Sequence, residues 1–110
     1  MGVTKSNLFT NNQNQLAQVA KVFAHPARVA IVEHLLHANS CINSDLVQEL
    51  GLAQATISQH LRELKEMGIV KGTIEGVSVN YCIDAARWKE TKNLFLQFFD
   101  RYQDLSCEGC

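Results

Sequence analysis

The sequence is poor in the features that mark disordered, collagenous and membrane-spanning chains. Its 110 residues include one proline and six glycines, too few for a collagen-like or low-complexity chain. No apolar run approaches the roughly 20 residues that cross a bilayer, so we expect no membrane partner. The polar segment 1–15 does not resemble a secretory signal. We therefore expect a cytoplasmic protein.

An excess of basic residues is also lacking. Ten Lys and Arg residues stand against eleven Asp and Glu residues, a net charge of −1. A broadly basic surface is thus excluded, and any nucleic-acid binding must come from a local patch. The length is that of one domain. We predict a single domain over residues 1–110, with flexible tails at 1–11 and 106–110.

Hydrophobic periodicity predicts a mainly α-helical chain with one β-hairpin. The predicted helices cover about residues 12–24, 26–39, 45–50, 53–67 and 85–105, and the predicted strands cover 69–74 and 77–83. Gly51 and Gly68 follow two of the helices, where a left-handed residue commonly ends a helix. A short helix, a glycine turn, a longer helix and a hairpin together predict a winged helix-turn-helix.

The longer helix of this pair is the one expected to enter the major groove of DNA. Ile57, Leu61 and Leu64 form its apolar stripe, so the opposite face is small and polar. Glutamine pairs well with adenine, small methyl groups contact thymine, and cations suit phosphates. The predicted DNA contacts are Gln54, Ala55, Thr56, Ser58, Gln59, Arg62, Lys65, Lys71 and Ser78. His60 lies beside the buried stripe, which favours packing or a local hydrogen bond over a base contact.

The last predicted helix carries more large apolar side chains than a small domain can hide. These are Trp88, Leu94, Phe95, Phe98, Phe99 and Tyr102. Exposed together, they would form a patch of the kind that marks an interface. We therefore predict a homodimer through the first and last helices, the alternative being that all six fill one core. The predicted interface residues are Leu16, Val19, Phe23, Trp88, Phe95, Phe99 and Tyr102.

The order of elements and several segments resemble the ArsR/SmtB family of bacterial repressors. The resemblance is carried by FAHPAR at 23–28, LAQATISQHL at 52–61, GIV at 68–70 and VNYCI at 79–83. It implies a dimeric winged-helix repressor that binds a palindromic operator in double-stranded DNA until an effector releases it. The family commonly has Ser where this chain has Ala53, so we expect a side-chain cap to be missing from the DNA-binding helix.

The sensing motifs of the family are incomplete in this chain. The family's Cys-x-Cys pair corresponds here to Cys41-Ile42-Asn43, and no histidine follows His60 to complete the zinc site of the last helix. The candidate sensor residues are Cys41, Cys107 and Cys110. Three thiolates would suit arsenite or a thiophilic metal ion as effector, whereas oxidants or reactive sulfur would form a disulfide or polysulfide bridge.

Two rival functions remain open from the sequence. A winged-helix protein–protein module that never binds DNA would suit the acidic pI of about 6.4. A thiol redox enzyme would use Cys107 and Cys110, but such enzymes usually place the pair at a helix start that lowers the thiol pKa. The sequence contains no other catalytic pattern, so we expect a regulator and no enzyme. We expect Cys82, between two apolar strand residues, to be a small packed residue.

Overall fold

The computed structural model describes residues 6–38, 50–73 and 80–103. The elements are a 3₁₀ turn Ser6–Leu8, helices α1 Asn11–Val22, α2 Pro26–Ala38, α3 Gln54–Glu66 and α4 Ala85–Phe99, and strands β1 Val70–Thr73 and β2 Asn80–Ile83. Apart from Leu50, the predicted helix at 45–50 lies outside the described residues. So do the predicted hairpin turn with Ser78 and the three candidate sensor cysteines.

Local signals account for where the helices begin. The Thr10 hydroxyl accepts from the Gln13 amide, and the Gln13 side chain accepts from the Thr10 amide, so the two residues form a capping box at α1. Pro26 opens α2, where its missing N–H costs nothing. A carboxylate oxygen of Asp84 accepts from the Arg87 amide at the start of α4.

Helix α4 is shorter than predicted. It ends at Phe99, and the amides of Arg101 and Tyr102 bond three residues back, to Phe98 and Phe99, as in a turn. The Phe99 and Tyr102 side chains are exposed. Helix stability in proteins comes mainly from packing of one face, and these two side chains bury little of their surface against the part of the chain that the structure describes.

The core forms where α3 lies across α2 and the hairpin. Ile57, Leu61 and Leu64 are buried, as predicted. They join Ile31, Val32, Leu35, Ile69, Val70 and Tyr81 in one apolar cluster. Burial of each such side chain contributes about 1.5–3 kcal/mol. This cluster fixes the orientation of α3 and turns its opposite face outward.

Helix α2 buries only part of its apolar surface. Val29 and Leu36 remain 40% and 48% exposed. Only one stripe of a helix can face the elements packed against it. The other apolar residues of α2 are left on the surface of this chain.

Strands β1 and β2 form an antiparallel hairpin in which Val70 pairs with Ile83 and Gly72 with Tyr81. Gly72 has a φ of 118°, and a Cβ placed there would collide with the backbone carbonyl of Asn80. Only glycine fits this position. The Lys65 ammonium donates to the Gly72 carbonyl oxygen at 2.8 Å, which joins α3 to the hairpin.

Within the described ranges, none of the helices is both long enough and apolar enough to span a membrane.

Candidate DNA-binding site

The outward face of α3 is the candidate site. Gly51, with a φ of 69°, makes the turn before it. Ala53 occupies the N-cap position without a side-chain hydrogen bond, which confirms the missing cap. The side chains in the first half of α3 that are predicted to contact DNA are largely accessible. Gln54, Ala55, Thr56 and Gln59 are exposed, and Ser58 is half-buried.

The side chains of two glutamines on this face form hydrogen bonds with other residues of the same helix. The Gln54 amide donates to the Ser58 hydroxyl at 3.1 Å. The Gln59 amide donates to the Glu63 carboxylate at 3.0 Å and accepts from Arg62 at 3.1 Å. Exposed hydrogen bonds of this kind are worth little net free energy, so they can be exchanged for bonds to base edges.

The cations of the site are few. Arg62 is half-buried, while Lys65 and Lys71 are exposed. Glu63 and Glu66 lie on the same helix, so its own net charge is zero. The patch therefore provides only modest attraction for phosphates.

His60 lies behind this face and touches α2. The Arg28 Nε donates to His60 Nδ1 at 3.1 Å, and the His60 side chain is half-buried. The expected local hydrogen bond of His60 is thus present. Its partner Arg28 was not among the predicted functional residues, because a separation of 32 positions carries no periodic signal.

Burial lowers the pKa of His60 below its usual value, and the positive charge of Arg28 and the nearby His25 lower it further. Glu63 acts in the opposite direction and raises the pKa. The rings of His25 and His60 lie 5.7 Å apart. These surroundings favour a neutral imidazole at neutral pH.

A second feature is an apolar groove of about 770 Å³ between α1 and α4. It is lined by Ala20, Phe23, Trp88, Thr91, Lys92, Phe95, Leu96 and Phe99. Phe99 stacks near Phe95 and meets Phe98 edge-on, with centroids 6.3 and 5.5 Å apart. Phe99 and Tyr102 are 64% and 80% exposed.

Other predicted interface residues differ in exposure. Leu16 is half-buried, whereas Val19 is fully buried within its own chain. The Val19 side chain therefore offers no surface to a second copy, which contradicts its prediction as an interface residue.

The described residues contain no cluster of three or more His, Cys, Asp or Glu that could hold a metal ion. The prediction that Cys82 is a small packed residue is wrong, because Cys82 is disulfide-bonded. The local sequence gave no sign of this, since a disulfide depends on the approach of distant segments.

Comparison with known proteins decides the family. Residues 25–71 match the family model described as bacterial regulatory protein, arsR family. An uncharacterized HTH-type transcriptional regulator of Methanocaldococcus jannaschii is 39% identical over 74 residues, which cover 67% of this chain and 83% of the relative. This chain belongs to the ArsR family. It is therefore a transcriptional regulator and not an enzyme.

Two solved structures extend the similarity beyond the matched segment. The crystal structure of Rv0081 from Mycobacterium tuberculosis has a TM-score of 0.62 and 26% identity, covering 84% of this chain and 93% of that chain. The transcriptional repressor BigR from Xylella fastidiosa has a TM-score of 0.59 and 25% identity, covering 92% of this chain and 99% of that chain. The predicted winged helix-turn-helix is thereby confirmed.

Proposed function

We propose that this ArsR-family chain represses transcription in the cytoplasm as a homodimer bound to a palindromic operator. The observation that carries the proposal is the exposed, small and uncharged first half of α3, held outward by its buried stripe. The structural similarity to a named repressor supports repression over activation. Two copies of α3 would enter successive major grooves about 34 Å apart.

Each predicted contact has a role in this proposal. Gln54 and Gln59 would bond to adenine edges, and the methyl groups of Ala55 and Thr56 would meet thymine. The remaining contacts would hold the DNA backbone: Ser58, Arg62, Lys65, Lys71 and Ser78. Lys65 would do so while it supports the hairpin, because an ammonium group has three donors.

Selection from random DNA tests operator binding directly. The purified chain is incubated with random duplexes of about 30 base pairs, or three helical turns, and the bound fraction is sequenced. We expect a palindrome to be enriched. Gln59→Ala should weaken binding to it roughly tenfold, the loss of one good base contact. Gln97→Ala, an exposed glutamine on α4, is the matched control and should bind normally.

Salt dependence separates this proposal from a protein–protein module. Affinity for the selected duplex should fall steeply as salt rises, because phosphate contacts release counterions. A scrambled duplex of the same length controls for sequence-independent binding. Failure to enrich any sequence, at low or high salt, would contradict operator binding and favour the module, for which the comparisons give no support.

The apolar groove between α1 and α4 supports the homodimer. Phe99 lines this groove and is largely exposed, as is Tyr102 nearby in the chain, and exposed apolar patches usually mark interfaces. A second copy related by two-fold symmetry would cover the same groove on both chains. That symmetry matches the two half-sites of a palindrome.

For the effector, we propose chemistry at cysteine thiols. The sensor residues are Cys41, Cys107 and Cys110, and the disulfide at Cys82 adds a fourth participant. Disulfides in a reducing cytosol are usually transient or redox-sensing, which favours an oxidant or reactive sulfur over arsenite or a metal ion. Effector and operator would then each weaken the binding of the other.

Release from DNA tests the effector. The complex with the selected duplex is titrated in turn with polysulfide, arsenite and zinc, and binding is followed by fluorescence anisotropy. We expect polysulfide to release the DNA, and a reductant to restore binding. Single Cys→Ser changes at positions 41, 82, 107 and 110 identify the reacting pair. Release by none of the three reagents would contradict thiol sensing and leave operator binding intact.

A further inference from the structure

We propose that Arg28 is a positioning residue that holds α3 in the pose needed for operator binding, and that it does so only while His60 is neutral. The inference rests on the proposed function, because it concerns how the DNA-binding helix is held. It adds a pH-sensitive contact that is separate from the cysteines.

The Arg28 guanidinium joins three helices. It belongs to the first turn of α2, and its Nε donates to Nδ1 of His60 on α3 at 3.1 Å. Its Nη1 donates, at 3.4 Å, to the carbonyl oxygen of Val22, the last residue of α1. The last carbonyls of a helix lack partners within the helix, so this bond also completes the end of α1. We call these two bonds the Arg28 clamp.

The direction of the hydrogen bond from Arg28 to His60 determines which nitrogen of the neutral His60 ring carries the proton. A guanidinium has five donors, no acceptor and a charge that it keeps at all ordinary pH values. Nδ1 of His60 must therefore supply a lone pair, which places the proton of the neutral ring on Nε2. Protonation of Nδ1 would turn it into a donor that faces the Arg28 donor. It would also place a charged imidazole next to a charged guanidinium, so the clamp would open.

The charged and titratable groups around His60 come from every element that packs near it. His25 from the turn before α2, Arg28 from α2 and Glu63 from α3 act on the charge of His60, and Lys21 from α1 and Glu66 from α3 line a pocket together with these three residues. The carboxylate of Glu63, which alone among these groups is shown to favour the charged imidazole, already accepts a bond from Gln59. The balance therefore keeps the ring neutral near pH 7 and lets acid open the clamp.

The clamp lies between the two surfaces that the proposed function uses. His60 follows Gln59 on α3, and Val22 lies between Ala20 and Phe23 of the apolar groove. With the clamp open, α3 keeps its buried apolar stripe and the bonds at its C-terminal end, from Lys65 to β1 and from Arg87 to Met67, but it loses the bond at its middle. Sequence-specific contacts depend on a helix pose correct to a fraction of an ångström, so specific binding should suffer before general attraction to DNA.

Nuclear magnetic resonance of the imidazole nitrogens tests the clamp without DNA. In the wild type above neutral pH, we expect Nδ1 of His60 to be unprotonated and Nε2 to be protonated. Arg28→Met keeps the aliphatic stem and removes the donor. In that variant, the pKa of His60 should move back towards its ordinary value. A protonated Nδ1 in the wild type, or an unchanged titration in Arg28→Met, would overturn the proposal.

A second test measures the affinity of the protein for the selected duplex and for its scrambled control. Both are measured at about pH 7.5 and at about pH 5.5, on either side of the usual imidazole pKa. Protonated histidines raise the affinity for any DNA, and the ratio of the two affinities cancels this general increase. In the wild type it should fall about tenfold, the weight of a hydrogen bond to a charged group. In His60→Gln, whose carbonyl can accept from Arg28 at any pH, it should stay nearly constant. His37→Gln, on the exposed end of α2, should behave like the wild type.

The outcomes distinguish this inference from the proposed function. Equal pH dependence of the ratio in His60→Gln and the wild type would overturn the clamp while operator binding stands. Enrichment of no duplex would overturn operator binding and this inference with it. Circular dichroism of each variant confirms the fold before binding is measured.

Discussion

Ala53 occupies the N-cap of α3 with φ −64° and ψ 148°, a conformation in which a serine hydroxyl could accept from the first turn. The position is exposed, so the hydroxyl needs no burial. Helix α3 thus begins without a stabilising contact that one atom could supply.

Ala53→Ser should therefore raise the free energy of unfolding by about 1 kcal/mol. Thermal and urea unfolding measure the change. Ala55→Ser, two residues further along on the exposed helix, provides the control and should be neutral or slightly destabilising. Equal effects of the two changes would show that the gain does not come from capping.

Two glycines with positive φ make a second comparison at this scale. A Cβ at Gly72 would collide with the Asn80 carbonyl, whereas a Cβ at Gly51 would meet nothing within 4 Å. Gly51→Ala should cost only the left-handed backbone penalty of about 1–2 kcal/mol. Gly72→Ala should cost clearly more, because the two strands must also separate. Chemical denaturation of both variants checks the order, and the reverse order would refute this account of the hairpin.

At the scale of elements, α3 is held from three sides. Its apolar stripe packs on α2, Lys65 bonds to β1, and His60 bonds to Arg28. The Arg87 side chain, from the first turn of α4, donates to the Met67 carbonyl at the end of α3 at 3.0 Å. The helix is thus fixed at its middle and at its C-terminal end, which leaves the side chains at its start exposed.

This arrangement predicts how stability depends on pH. Since the pKa of His60 is lowered in the folded chain, the folded chain binds fewer protons than the unfolded chain just below the usual imidazole value of 6.5. The contribution of His60 is therefore complete above that pH and is lost as the pH falls through the folded pKa. Denaturation midpoints at a series of pH values should fall less in His60→Gln than in the wild type. An identical loss in both would assign the effect to other groups.

At the scale of the whole molecule, the groove between α1 and α4 is an apolar surface that the described part of a single chain leaves uncovered. The net charge of −1 leaves no excess of positive charge to attract DNA, so a regulator of this kind would gain affinity by doubling its contacts. Dimerisation would serve both needs, because it covers the aromatic surface and brings two copies of α3 to one operator.

Phe99→Glu should therefore shift the chain towards the monomer and weaken operator binding, because a charge would enter the apolar contact. Sedimentation velocity measures the shift. Leu36→Glu, which introduces the same charge at an exposed apolar residue on α2 away from the groove, should leave the oligomeric state unchanged. A wild-type chain that sediments as a monomer at all concentrations would refute the homodimer.

Much of the fold and of the candidate site was predictable because it depends on local pattern. The spacing of Ile57, Leu61 and Leu64 determines which side of α3 is buried, and it thereby determines that Gln54 and Gln59 face outward. Gly51 and the alternation of the strands likewise act through neighbouring residues. Burial of one helical stripe follows from periodicity whatever the partner.

The tertiary structure alone decided which distant groups meet. Arg28 and His60 are 32 positions apart, Lys65 reaches the hairpin, Cys82 is in a disulfide, and Leu36 is exposed although it belongs to a helix rich in apolar residues. Such pairs depend on the angles at which helices and strands cross, and those angles result from the packing of the whole core. The residues that face outward could therefore be predicted from the sequence, whereas the contacts that hold α3 in place could not.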